Sequence, residues 1–246
     1  RDLTSKSSNG ATGIYASAAA TFNITDTVFE DLKYESTGGQ NGAVVFMSNA
    51  GTVLNMDNVT IERFNGPATS IVRSTGTVNI KKSKFVNNDV QLSSAGYVGD
   101  SLFYIGASGT MTMEQSIVAN NSVAKNVVYL GSSAKATMNY NNIYNNTFNA
   151  SYESGFKTNN GVADVECNYW GSNTLPEGVT ATVWVVEEDG SYKLSNGSAL
   201  AEEIPGLNAE SGTDPVVITT HDTIYVHSVN GLDTNDGLTE DSAVKT

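Results

Sequence analysis

The chain has 246 residues, of which 39% are apolar and 16% charged, enough to enclose a sizeable core in one or two domains. Its 13 Lys and Arg against 26 Asp and Glu give a net charge of −13; that balance repels nucleic acid and anionic membranes, and no stretch reaches the ~18 apolar residues of a spanning helix. The 23 Gly, 27 Asn and 52 Ser plus Thr, set against 4 Pro, favour turns and polar ladders over helices, so the expected class is all-β.

The N-terminus, Arg1-Asp2-Leu3-Thr4, has neither an initiator Met nor an apolar leader and reads as a mature or excised piece. From there apolar and polar residues alternate in short runs, as in Phe22-Asn23-Ile24, Leu54-Asn55-Met56 and Val78-Asn79-Ile80. A period of two predicts strands with one buried face. The runs recur: residues 101–121 align without a gap on 126–146, and the same register puts Phe22, Leu54, Val78, Met111 and Ala136 in one column. A second inward column is Ile24, Met56, Ile80, Met113, Met138, and a third is Phe29, Ile61, Phe85, Val118, Ile143. Strands repeating at this interval predict a parallel β-helix, a solenoid, over residues 1–173.

Stacked strands lie about 4.8 Å apart, so each column must tolerate its neighbours above and below. Asp57, Lys81 and Glu114 alternate in sign, and Asn87, Asn120 and Asn145 line up beside Asn88, Asn121 and Asn146. Those asparagines are expected at a left-handed turn, with amides bonded along the ladder. Segments 33–42, 65–69 and 89–100 read as insertions along one edge, where a fixed scaffold carries binding loops.

Further on, Cys167 sits in the alternating run 162–167 and is expected to be a buried structural thiol. His221 and His227 are far from it, which argues against a Cys/His pair or a zinc site. Residues 174–204 are expected to form a hairpin and capping segment, turning on Asp189-Gly190 in a type I′ turn, with Trp170 and Trp184 covering the open end of the last coil. Residues 205–215 read as a polar linker.

The coils, the closing Asn168-Tyr169-Trp170-Gly171-Ser172-Asn173, and the later run from Ile224-Tyr225-Val226-His227 to Asp233-Thr234-Asn235-Asp236-Gly237 resemble the right-handed β-helix domains of adhesin-like surface proteins of methanogenic archaea. The resemblance implies a right-handed solenoid in an extracellular, cell-surface protein that mediates attachment. In that family the Asp-Thr-Asn-Asp-Gly type of motif opens a β-helix, whereas here residues 216–246 follow the closing motif. The order implies either a piece spanning two successive β-helices or a subunit whose C-terminal segment, including Tyr225 and Val226, completes the next copy. The second alternative makes a filament or sheath joined head to tail, with neighbouring copies as partners.

A third alternative is a polysaccharide lyase, which needs acids converging on a cation beside an Arg or Lys base. Asp57, Arg63, Arg73 and Lys81, with Lys82 and Lys84 nearby, are the residues whose convergence would favour it. The coil carboxylates Asp26, Asp57, Glu62 and Glu114 read as scattered, so a non-enzymatic module is expected, with no cofactor unless calcium sits on Asp233, Asn235 and Asp236. An Asx-rich turn that satisfies its own backbone explains that loop equally.

For ligand binding, the outward column Phe46, Arg73, Tyr104, Tyr129 stands out, because an Arg among aromatics suggests a solvated face able to stack on sugars or on a partner surface. An aromatic ladder that only stabilises the sheet is the competing account. Asn-x-Ser/Thr sequons lie at Asn23, Asn58, Asn120, Asn145, Asn149 and Asn196, about the number that composition alone gives; Asn149 and Asn196 fall in expected loops, and Asn120 and Asn145 in the turn ladder.

Overall fold

The structure is a computed structural model that describes residues 4–5, 11–35, 43–67, 70–91, 101–148, 156–158, 161–165, 168–171, 182–186, 192–196 and 203–204. The chain divides into two compact units, Arg1–Val216 and Val217–Thr246, and every described residue belongs to the first. Those residues are all-β, without a helix, and apart from one hairpin every strand pairs in parallel with its equivalent in the neighbouring repeat.

Each repeat visits three sheets in the same order. One sheet takes Ala11–Ala16, Ala43–Met47, Ser70–Ser74, Ser101–Ile105, Asn126–Leu130 and Phe156–Thr158; we call it the aromatic sheet. The second begins with the long strands Thr21–Glu30 and Val53–Glu62. Later repeats divide that path into pairs, Thr77–Lys81 with Lys84–Val86, Thr110–Glu114 with Ile117–Ala119, and Lys135–Asn139 with Asn142–Tyr144. The third sheet is made of two-residue strands, among them Lys33–Tyr34, Asn65–Gly66, Asp89–Val90 and Ser122–Val123.

That third sheet shortens the expected insertions, since 33–42, 65–69 and 89–100 each begin with a paired strand and the lengths differ only after it. Two residues are too few to show a period. At Gly66, φ is 151° and a Cβ would fall 2.1 Å from the Tyr34 carbonyl oxygen, so this close approach requires glycine.

The predicted columns are the observed register. Phe22, Leu54, Val78, Met111 and Ala136 pair in sequence, as do Ile24, Met56, Ile80, Met113 and Met138, and Phe29, Ile61, Phe85, Val118 and Ile143. These side chains face one apolar cluster with Val45, Val72, Phe103 and Val128 of the aromatic sheet, and Phe85 meets Phe103 edge-on at 4.8 Å across it. Each fully buried Val, Leu, Ile, Phe or Met among them contributes about 1.5–3 kcal/mol, and its equivalents in neighbouring repeats add to the same cluster.

Blocks 21–34, 53–66, 77–90, 110–123 and 135–148 have one length, and the length differences fall outside them. Two corners hold each block in shape. The first has positive φ at Asp26, Asn58, Lys82, Gln115 and Tyr140, and the second at Asp31, Arg63, Asn87, Asn120 and Asn145. Asparagine tolerates this region well, which accounts for its register in the sequence.

Inside the corners run two buried polar ladders. At the second, the Asn88 amide donates to Asn121 Oδ1 (3.0 Å) and to the Ile61 carbonyl (3.0 Å), and Asn121 repeats both bonds to Asn146 (2.8 Å) and the Phe85 carbonyl (2.9 Å). At the first, the backbone N–H of Val59 donates to Ser83 Oγ (3.1 Å), Ser83 to Ser116 Oγ (3.0 Å), Ser116 to Asn141 Oδ1 (2.9 Å) and Asn141 to Asn168 Oδ1 (2.9 Å). Backbone groups that bend away from a sheet are thereby satisfied out of water.

The hairpin is Thr182–Val186 against Tyr192–Asn196. Val186 is opposite Tyr192, and the expected turn residues Asp189 and Gly190 lie outside the described residues. Nearby in the chain, Ile204 is held by a side chain: its N–H donates to Asn142 Oδ1 (2.8 Å), and Asn142 Nδ2 donates to its carbonyl (3.2 Å). Asn142 thus imitates a strand partner. Cys167, residues 205–215 and residues 216–246 lie outside the described residues.

Candidate functional site

Two columns on the outer faces of the sheets are the candidates for a site. On the aromatic sheet, Tyr15, Phe46, Arg73, Tyr104 and Tyr129 pair in one column, as the sequence predicts for the last four. Tyr104 and Tyr129 stack at 5.1 Å and 10° between planes, and Arg73 is sandwiched 5.0 Å from the Phe46 ring and 4.8 Å from the Tyr104 ring.

The expectation of a solvated face here is corrected. Phe46, Arg73 and Tyr129 are 6%, 9% and 7% exposed. An Arg need not face water when π-faces on both sides replace part of its hydration. At the end of the column, Tyr15 is 54% exposed.

The second surface is the outer side of the sheet containing Val53–Glu62, Thr77–Lys81, Thr110–Glu114 and Lys135–Asn139, where a groove of about 550 Å³ runs across four repeats. Its floor is a row of polar side chains linked along the stacking direction. Asn55 Nδ2 donates to Asn23 Oδ1 (2.8 Å), Asn79 Nδ2 to Asn55 Oδ1 (2.8 Å), and Thr112 Oγ1 to Asn79 Oδ1 (2.9 Å). Beside it runs the predicted column Asp57, Lys81, Glu114, in which Lys81 Nζ lies 3.6 Å from Glu114 Oε1. Tyr140 stands at the rim, 59% exposed and with φ of 59°. The signal for this row was the Asn between apolar residues in three consecutive repeats, which alternation alone reads as an ordinary outward position.

The basic and acidic residues whose convergence would favour a lyase are spread apart by the fold. Asp57 and Lys81 are cross-strand neighbours on the groove, Arg73 is in the aromatic sheet, and Arg63 lies at the second corner. There Arg63 binds Asp31 with Nε (2.7 Å) and Nη2 (3.1 Å), reaches Glu30 at 3.0 Å, and pairs with Glu62. Hydrogen bonding to Asp31 above all, then to Glu62, raises the guanidinium pKa further above its ordinary value against the effect of burial. Among the described residues no group of His, Cys, Asp and Glu is placed to hold a metal ion, and no helix is long and apolar enough to cross a membrane.

The sequons differ in environment. Asn120 and Asn145 are exposed at positive-φ corners, while the buried amide ladder uses their neighbours Asn121 and Asn146. Asn23 accepts from Asn55, and Asn58 Nδ2 donates to Asp26 Oδ1 (2.7 Å). Asn196 ends a hairpin strand rather than lying in a loop. Trp170 is half-buried against the apolar cluster, and Trp184 pairs with Leu194 in the hairpin. Asn149, Tyr225, Val226, Asp233, Asn235 and Asp236 lie outside the described residues.

Comparison with protein-family models, with curated proteins and with solved structures finds no match.

Proposed function

We propose that the chain is a right-handed parallel β-helix module of an extracellular, cell-surface protein of the adhesin-like kind, non-enzymatic, whose task is attachment or the presentation of a rigid surface. The observation that carries this reading is the uninterrupted register. Blocks of equal length pair in parallel through five repeats, and amide and hydroxyl ladders link the later repeats to one another. In such an architecture each repeat contacts only its neighbours, so length is added without redesigning a core. The net charge of −13 keeps an extended surface soluble. The separation of Arg63 and Arg73 from each other and from the Asp57 and Lys81 neighbours supports a scaffold over a lyase.

The test is protease treatment of intact source cells, followed by mass spectrometry of the released peptides. Peptides of this chain are expected in the released fraction. Their confinement to the cytosolic fraction would overturn the reading.

A further inference from the structure

We propose that the groove over Asn55, Asn79 and Thr112 binds a linear, uncharged polysaccharide lying along the row of repeats. The setting rests on the surface-module reading above, and the ligand class on the groove's own chemistry.

The first argument is unused hydrogen-bonding capacity. A primary amide carries two N–H donors and two acceptor lone pairs. The axial chain uses one donor and one acceptor each of Asn55 and Asn79. Both residues are half-buried and Thr112 is exposed, so each amide retains a donor and an acceptor for a ligand. The repeat along the floor is the strand spacing of about 4.8 Å, close to the advance of an extended glycan per pyranose residue. Sugar hydroxyls one strand spacing apart therefore meet the free donor and acceptor of Asn55 and of Asn79 in turn, with the Thr112 hydroxyl oxygen beyond them as an acceptor.

The second argument is Tyr140. The corner it occupies is filled elsewhere by Asp26, Asn58, Lys82 and Gln115, and a bulky ring at φ of 59° is an unfavourable choice for a turn. Placed at the groove rim and 59% exposed, it offers an aromatic face of the kind that covers the C–H face of a sugar ring. The third argument is charge. Asp57 and Glu114 outnumber Lys81 beside the floor, on a chain of net charge −13, which disfavours uronate and sulfated chains and leaves neutral ones.

The experiment is calorimetric titration of the full chain with cellohexaose, xylohexaose, mannohexaose and hexagalacturonate at matched ionic strength. At least one neutral hexamer is expected to bind and hexagalacturonate is not. Tyr140→Asn, which suits the backbone and removes the ring, should weaken the neutral hexamer roughly tenfold. Asn79→Ala should weaken it several-fold, and Tyr15→Ser on the aromatic sheet should leave it unchanged. If Asn79→Ala fails to fold, Thr112→Val takes its place.

Silence with all three neutral hexamers, preference for hexagalacturonate, or neutral binding unmoved by Tyr140→Asn and the floor variant would each overturn the proposal. Cell fractionation separates this from the reading on which it rests: a surface protein that binds no hexamer loses only the ligand, and a cytosolic one that binds loses only the setting.

Discussion

Blocks 21–34 and 53–66 turn the same two corners as blocks 77–90, 110–123 and 135–148, but with different side chains. In the earlier pair the strand crosses the first corner unbroken, as Thr21–Glu30 and Val53–Glu62, and the second corner is filled by the buried Leu32 and Phe64. In the later three the strand is divided at Ser83, Ser116 and Asn141, and the position of Leu32 and Phe64 is taken by Asn88, Asn121 and Asn146. The backbone hardly registers the change. Asn65 donates to the Leu32 carbonyl (2.9 Å), Asp89 to that of Phe64 (2.7 Å), Ser122 to that of Asn88 (2.8 Å) and Thr147 to that of Asn121 (2.8 Å). A corner therefore needs a left-handed residue and a satisfied backbone; apolar filling braced outside by ions and a polar ladder inside are two ways to meet that need.

The comparison breaks most severely at the middle of the amide ladder. Asn121 accepts from the Asn88 backbone N–H (3.0 Å) and donates to the Phe85 carbonyl (2.9 Å), both buried. Asn121→Leu keeps the volume and leaves both groups unpaired, a loss of about 4 kcal/mol at about 1–3 kcal/mol for each orphaned group. Because repeats interact with neighbours only, hydrogen exchange should accelerate from Phe85 to Asn146 and stay unchanged from Thr21 to Ile61. Equal loss along the whole chain would mean that the two regions are one cooperative unit.

Arg63→Ala probes the other chemistry and should cost about 2 kcal/mol, because it leaves Glu30, Asp31 and the 2%-exposed Glu62 facing one another. Arg63 is half-exposed, so part of its effect is screened. The difference between wild type and Arg63→Ala should shrink in molar salt, whereas that for Asn121→Leu should persist. Denaturant melts of both variants at two salt concentrations decide this.

Much of this contrast was readable in the sequence, and the unreadable part has physical causes. Inward columns such as Ile24, Met56, Ile80, Met113, Met138 announce themselves because burial demands apolar residues at every level. Asn87, Asn120 and Asn145 were visible because few residues suit the left-handed region, and Asn88, Asn121 and Asn146 because they stand beside them in the same register. The ladder of Ser83, Ser116, Asn141 and Asn168 was hidden, since hydroxyl and amide do the same work there and share no hydropathy signature. Strands such as Lys33–Tyr34 are too short for periodicity. Arg73 misled because its charge suggests water, while the Phe46 and Tyr104 rings on either side of it are visible only once the register is known.

A smaller effect is expected at Asn142, whose amide binds both the N–H and the carbonyl of Ile204. Earlier positions in its column are Val28, Thr60, Lys84 and Ile117, none of which offers a paired donor and acceptor on one planar group. Asn142→Ala should release Ile204 at a cost of about 1–2 kcal/mol. Its amide should exchange about tenfold faster or more, with the Asn88 and Asn121 ladder undisturbed. Faster exchange throughout the later repeats would show that the contact supports the repeats themselves.

The smallest effect belongs where the two regions do not differ, on the outward charges. Lys81 and Glu114 are 3.6 Å apart, with side chains 46% and 56% exposed. Such a pair gains little in water, because solvent screens the attraction and holding two long side chains costs entropy, so Glu114→Gln should change stability by less than about 0.5 kcal/mol. Glu114→Lys is the sharper variant. It sets like charges on neighbouring strands between Lys81 and Asn139, and a destabilisation of about 0.5–1 kcal/mol that fades with salt is expected from cross-strand repulsion. A salt-independent loss would instead place the cause in packing on the groove wall. The alternating column Asp57, Lys81, Glu114 thus avoids like-charge pairing at each step.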